Sequence, residues 1–267
     1  MSKPDLKILS SIYLLSTTFL VVGCQTISNS KVDPIKSAQA RTQIAAEYIR
    51  KNDFDAAKRE LDLVMKLNSR DPIANMMMGV LLQREGSPSN VEKAERYFKS
   101  AVSSDPKNAQ ARNNYGTYLY QLGRYNDALE QFKVAGSTLG YDQRYVALEN
   151  VGRAYVKLGD VTNAEKAFTH VLKNNRNSYV SMVELAELYY LRQDIPAATN
   201  LYEQSVRLVG QNNQNARALW IGIRLARANG DPLQTQVLVN QLRALYPDSP
   251  EYQRYLQLQY STEGVWK

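Results

Sequence analysis

Apolar residues recur along most of the chain at intervals of three and four, the period of a helix that buries one face. Short polar or glycine-bearing breaks interrupt the pattern, as at Leu122-Gly123 and Leu158-Gly159, and mark tight turns between helices. Thirteen Gly and nine Pro in 267 residues are too few for a loop-rich β protein. The pattern therefore predicts an all-α chain. One stretch departs from it: Ile8 to Val22 is almost continuously apolar, with Lys3 and Lys7 ahead of it.

The helical pattern repeats. Ala57, Ala94, Ala128, Ala164 and Ala198 are spaced 37, 34, 36 and 34 apart. A second series of small residues, Ala45, Gly79, Gly116, Gly152, Ala186 and Gly222, keeps step at 34, 37, 36, 34 and 36. Four residues after each Ala of the first series stands a large side chain: Leu61, Phe98, Phe132, Phe168 or Tyr202. Two helices approach closely only where side chains are small, so the small residues mark helix contacts and the rings are expected to fill the gaps between units. This pattern resembles the tetratricopeptide repeat, a helix–turn–helix of 34 residues. The resemblance implies a right-handed superhelical solenoid with a concave face. The units run 38–71, 72–108, 109–142, 145–178 and 179–212, with a degenerate sixth at 213–247. The three extra residues of the second unit are expected in the Gly86-Ser87-Pro88-Ser89 turn. Ser249-Pro250-Glu251 reads as a helix start, and 248–267 as a capping helix and tail, its helix covering about 249–262 with Tyr252, Tyr255 and Leu256 on one face.

The amino-terminal apolar run is shorter than the ~20 residues of a membrane-spanning helix and has the form of a secretory signal peptide. Val21-Val22-Gly23-Cys24 resembles the bacterial lipobox. That resemblance implies cleavage after residue 23, diacylglycerol on the Cys24 thiol and acylation of its freed amino group. Several buried acyl chains, at about 0.8 kcal/mol per CH₂, anchor stably. Gln25 rather than Asp after the Cys favours the outer membrane. Residues 24–37, with Ser28, Asn29, Ser30 and Pro34, read as a tether.

Candidate chemistry is sparse. One Cys excludes an intramolecular disulfide and a Cys-cluster zinc site, and one His excludes a His-pair metal motif. No phosphate loop, HExxH, Gly-x-Ser-x-Gly or calcium loop occurs, so no enzyme, metal or cofactor is expected. His170 falls where a side chain faces outward. The formal charge is +7, but Lys and Arg are scattered, which argues against nucleic acid. Glu92, Glu95 and Glu130 read as parts of solvated helix faces. Binding is then the expected function, through the groove lined by the first helix of each unit. In the second unit the candidate groove positions are Ile73, Met76, Met77 and Val80, and in the third Asn113, Asn114, Thr117 and Tyr120. The first unit adds Thr42, Ala46 and Ile49. Met adapts to peptide surfaces, and Asn amides can pair with both backbone groups of an extended segment. Packing between units, or hydrogen bonds between them, is the competing reading of the Met and Asn positions.

The lipobox, the six units, Asn113-Asn114-Tyr115-Gly116, Leu219-Trp220-Ile221-Gly222-Ile223-Arg224-Leu225-Ala226 and Tyr246-Pro247-Asp248-Ser249-Pro250-Glu251-Tyr252 together resemble the type IV pilus biogenesis and stability lipoprotein family, the PilF/PilW group. The resemblance implies a pilotin: an outer-membrane lipoprotein that binds secretin subunits and promotes their localisation and assembly into a ring. The alternatives are a tetratricopeptide lipoprotein serving barrel assembly or cell-wall enzymes, and a cell-wall enzyme, against which the missing catalytic constellation argues.

Overall fold

The computed structural model describes residues 33–261 and residue 266. The signal segment, Cys24 and most of the tether lie outside the described residues. Side-chain caps set most helix starts. Asp53, Asp71, Asp160, Asp194 and Asp231 each accept a hydrogen bond from the backbone N–H three residues on, and Asn108, Ser178, Asn215 and Ser249 do the same. Each cap satisfies a donor that the first helical turn leaves open.

Six helix pairs follow: α1 (Pro34–Arg50) with α2 (Phe54–Leu67), α3 (Pro72–Glu85) with α4 (Pro88–Ser104), and α5 (Ala109–Gln121) with α6 (Tyr125–Ser137). Then come α7 (Arg144–Lys157) with α8 (Val161–Asn174), α9 (Tyr179–Leu191) with α10 (Ile195–Val209), and α11 (Ala216–Ala228) with α12 (Pro232–Leu245), before a lone α13 (Pro250–Leu258). Each pair packs together and each second helix meets the next first helix; the first helices also touch one another in order, from α1 through α11. The fold is all-α, a tetratricopeptide-repeat solenoid. α13 packs on α11 as a further first helix would.

Three local features differ from the sequence reading. α1 begins at Pro34, inside the expected tether, because Asp33 caps it and Pro34 suits the first helical position. The extra residues of the second unit lengthen α4 to 17 residues instead of widening a turn, since left-handed Gly86 ends α3 and Pro88 already starts α4. α13 stops at Leu258.

Phe98, Phe132 and Phe168 pack inside their own pairs, and Phe98 also fills the gap to the next, as expected: its ring lies 5.8 Å from Tyr115 and 5.3 Å from Tyr118 of α5. A methyl group added at Gly79, Gly116 or Gly152 would lie 2.9, 2.6 or 2.6 Å from the ring of Phe98, Phe132 or Phe168 of the same pair. Tyr202 reaches onward to Gly222 of the next pair, and its hydroxyl donates to Gln214 at 2.7 Å. Glu95 is no solvated face residue. It accepts from Arg124 at 2.7 Å and Tyr115 at 3.1 Å of the next pair, and pairs with Lys99 at 3.0 Å. Burial pushes its carboxyl up, but these bonds outweigh that and hold it below the usual range. Glu165 and Arg192, 3.0 Å apart, link the fourth and fifth pairs in the same way.

Candidate functional site

The first helices place side chains of equivalent register side by side along one face, and its chemistry changes from one end to the other. At the amino-terminal end, Pro34, Ile35, Ala38, Val64, Leu67 and Ile73 line an apolar cleft of about 280 Å³. Ile35 and Leu67 are 69% and 67% exposed. Ile73, Met77 and Val80 continue the wall, each half-buried.

Met76 does not belong to this wall. It is 1% exposed and fills the seam between α4 and α5, where Ala101 and Ala111 leave room for a long, adaptable side chain. Asn113 is also buried, and its Oδ1 accepts from Asn150 Nδ2 of α7 at 3.2 Å. Asn114 is partly buried, with Nδ2 3.2 Å from Met76 Sδ. Both amides thus link neighbouring units. Thr117 donates to the Asn113 backbone carbonyl. Tyr120 stays half-exposed on the face, edge-on to Tyr125 at 5.2 Å. Burial and then the Glu184 carboxylate raise the pKa of its hydroxyl. In the first unit Thr42 and Ile49 are buried and Ala46 is half-buried. His170 is exposed on α8.

The sequence reading missed a chain of charges on the carboxyl-terminal half of the same face. Arg153 of α7 meets Glu184 of α9 at 3.1 Å; Arg217 of α11 meets Glu184 at 2.8 Å and Glu187 at 3.2 Å; Arg224 meets Glu187 at 3.0 Å. Arg224 is 2% exposed and lies over the Tyr190 ring at 4.1 Å. Glu149 adjoins the group: burial raises its carboxyl, Ser178 Oγ donates to it at 2.5 Å, and Arg153 opposes the shift. The signal that could have found this chain is two carboxylates, Glu184 and Glu187, in an otherwise apolar helix. Desolvated pairs of this kind fix register more than they add stability. Among the described residues, no three potential ligands gather to hold a metal ion, and no helix is long and apolar enough to cross a membrane.

The tetratricopeptide-repeat family model matches residues 89–137 and 152–214. The type IV pilus assembly protein PilF of Pseudomonas aeruginosa is 29% identical over 242 residues, which span 88% of this chain and 93% of PilF. The solved structure of Pseudomonas aeruginosa PilF superposes with a TM-score of 0.72, covering 84% of this chain and 98% of that one. PilW, described as a widely conserved type IV pilus biogenesis factor, superposes at 0.69 with 25% identity, over 82% of this chain and 98% of its own. Repeat pattern, paired helices and full-length likeness agree: the chain is a tetratricopeptide-repeat protein similar along most of its length to PilF and PilW, proteins of type IV pilus biogenesis.

Proposed function

We propose that this chain is the pilotin of a type IV pilus: a lipid-anchored outer-membrane protein that receives secretin subunits on its first-helix face and promotes their multimerisation. The observation that carries this reading is likeness to PilF along nearly the whole of both chains, rather than across a generic repeat segment. Cys24, the lone Cys, follows Val21-Val22-Gly23 and supplies the anchor. The apolar wall of Ile73, Met77 and Val80, with the adjoining cleft, offers exposed hydrophobic surface for a partner segment, and Tyr120 adds an adaptable aromatic contact beyond it. The charge chain of α7, α9 and α11 keeps the far half in register.

Two experiments test the reading. Cys24→Ser should move the protein out of the outer-membrane fraction; wild-type retention there would rule out anchoring at this residue. Affinity capture of the lipidated protein from detergent-extracted outer membranes should bring secretin subunits with it. Capture of barrel-assembly components or cell-wall enzymes instead would favour the scaffold alternative.

A further inference from the structure

Counted from the small residue of each first helix, equivalent positions form rows across the face. Val80, Thr117 and Arg153 stand one place after Gly79, Gly116 and Gly152, and Met77, Asn114 and Glu184 two places before Gly79, Gly116 and Ala186. The apolar wall therefore runs, row for row, into Arg153 and Glu184. Arg153 gives its Nε to Glu184 at 3.1 Å, and Arg217 gives Nη2 to Glu184 at 2.8 Å and to Glu187 at 3.2 Å. Both Nη groups of Arg153 and the Nη1 of Arg217 meet no acceptor among the described residues. The two side chains are 39% and 37% exposed, so these donors are open to a partner.

Within the ion pairs Arg153, Arg217 and Arg224 share the carboxylates of Glu184 and Glu187, so positive charge is in excess. Glu149 and Glu251 act on Arg153 and Arg217 at longer range and hydrogen-bond to neither. The Tyr120 hydroxyl of α5 stands in the field of Glu184, Arg153 and Arg217. A carboxylate accepts parallel N–H bonds from a guanidinium fork; at Arg153 and Arg217 it adds an acceptor without parting the existing pairs. We propose that Arg153 and Arg217 receive an acidic side chain of the partner segment whose apolar residues cover Ile73, Met77 and Val80, an inference that rests on the reading of that wall as the partner surface. The first helices touch in order, so α3 and α7, two steps of roughly 10 Å, stand about 20 Å apart. At ~3.3 Å per residue an extended segment covers that span in about six residues. The partner segment thus carries its Asp or Glu about six residues from its apolar group.

The probe is the peptide Glu-Ser-Thr-Ser-Thr-Ser-Val-Leu-Val-Ser-Thr-Ser-Thr-Ser-Glu with acetylated and amidated ends, which offers the acid on either side of the apolar centre and so serves both chain directions. Its counterpart carries Gln for each Glu. Calorimetric titration of the full chain should give the Glu peptide an affinity at least about fivefold tighter than the Gln peptide. That preference should shrink as salt rises, and should fall in Arg153→Gln while the Gln peptide binds as before. Equal affinities for the wild type, no binding of either peptide, or a preference unchanged in Arg153→Gln would overturn the proposal. The paired peptides on the wild-type protein decide the matter even if the variant does not fold. Secretin capture is scored separately. Peptide preference without secretin capture would remove the pilotin reading and support this site, whereas secretin held by folded Arg153→Gln as firmly as by the wild type would contradict the site.

Discussion

Ala128 is fully buried where α6 meets its neighbours, within the same core as Phe132 and Leu119. Ala128→Leu has no space to enter, and overpacking of this kind typically costs about 1–3 kcal/mol; a thermal melt should register it as a lower midpoint. Backbone geometry allows a change of the opposite sign. Gln193 occupies a left-handed turn position, φ 64°, where the equivalent turns use Gly123 and Gly159 at φ 75°. Gln193→Gly relieves that strain, offset by added freedom in the unfolded chain, and should raise stability by less than about 1 kcal/mol. Met76 and Met77 separate two roles within one helix. Met76→Glu places a charge in a closed seam and should destabilise the domain by at least about 3 kcal/mol, whereas Met77→Glu, half-exposed, should leave the melt almost unchanged. The small-residue series was legible in the sequence because each contact it marks is a local steric requirement. Which of two adjacent methionines is covered was not, because that depends on Ala101 and Ala111 leaving a hole in neighbouring helices.

The first helices α7, α9 and α11 are joined by ion pairs that no spacing rule picks out, since their partners lie more than thirty residues apart. Helix starts, by contrast, were readable at Ser249-Pro250 because a cap acts within one turn. Removing one partner of a buried pair strands the other. Glu187→Ala leaves Arg224 without its carboxylate, 2% exposed, and should cost about 3–5 kcal/mol by denaturant melt. Glu149 gives a pH-dependent counterpart. Its folded carboxyl titrates above its unfolded one because burial disfavours the charge. The stability it contributes is therefore present below the unfolded pKa and lost as pH rises through the folded one. Glu149→Gln keeps an acceptor for Ser178 and should melt higher than the wild type at neutral pH. The difference should shrink as pH falls toward the carboxylate range.

Among the described residues the first-helix face divides into an apolar half that is open and a charged half whose groups already pair with one another. A partner gains most by covering Ile73, Met77 and Val80, and least by disturbing paired arginines and glutamates. The proposed lipid site, Cys24, precedes the end of the chain that carries the open cleft. Architecture and relatives were legible from the repeat period and from the residues that resemble PilF and PilW. The division of the face was not, since it emerges only when equivalent registers of six pairs are set side by side. The most direct measurement of the proposed role is the ratio of secretin multimer to monomer in outer membranes of a strain whose own copy of this gene is deleted. The strain is complemented either with the wild-type protein or with Met77→Glu/Val80→Glu at matched levels. Complementation by the wild type should restore the multimer and the variant should leave monomer predominant. Normal multimer in the deletion strain, or full restoration by the variant, would contradict the account.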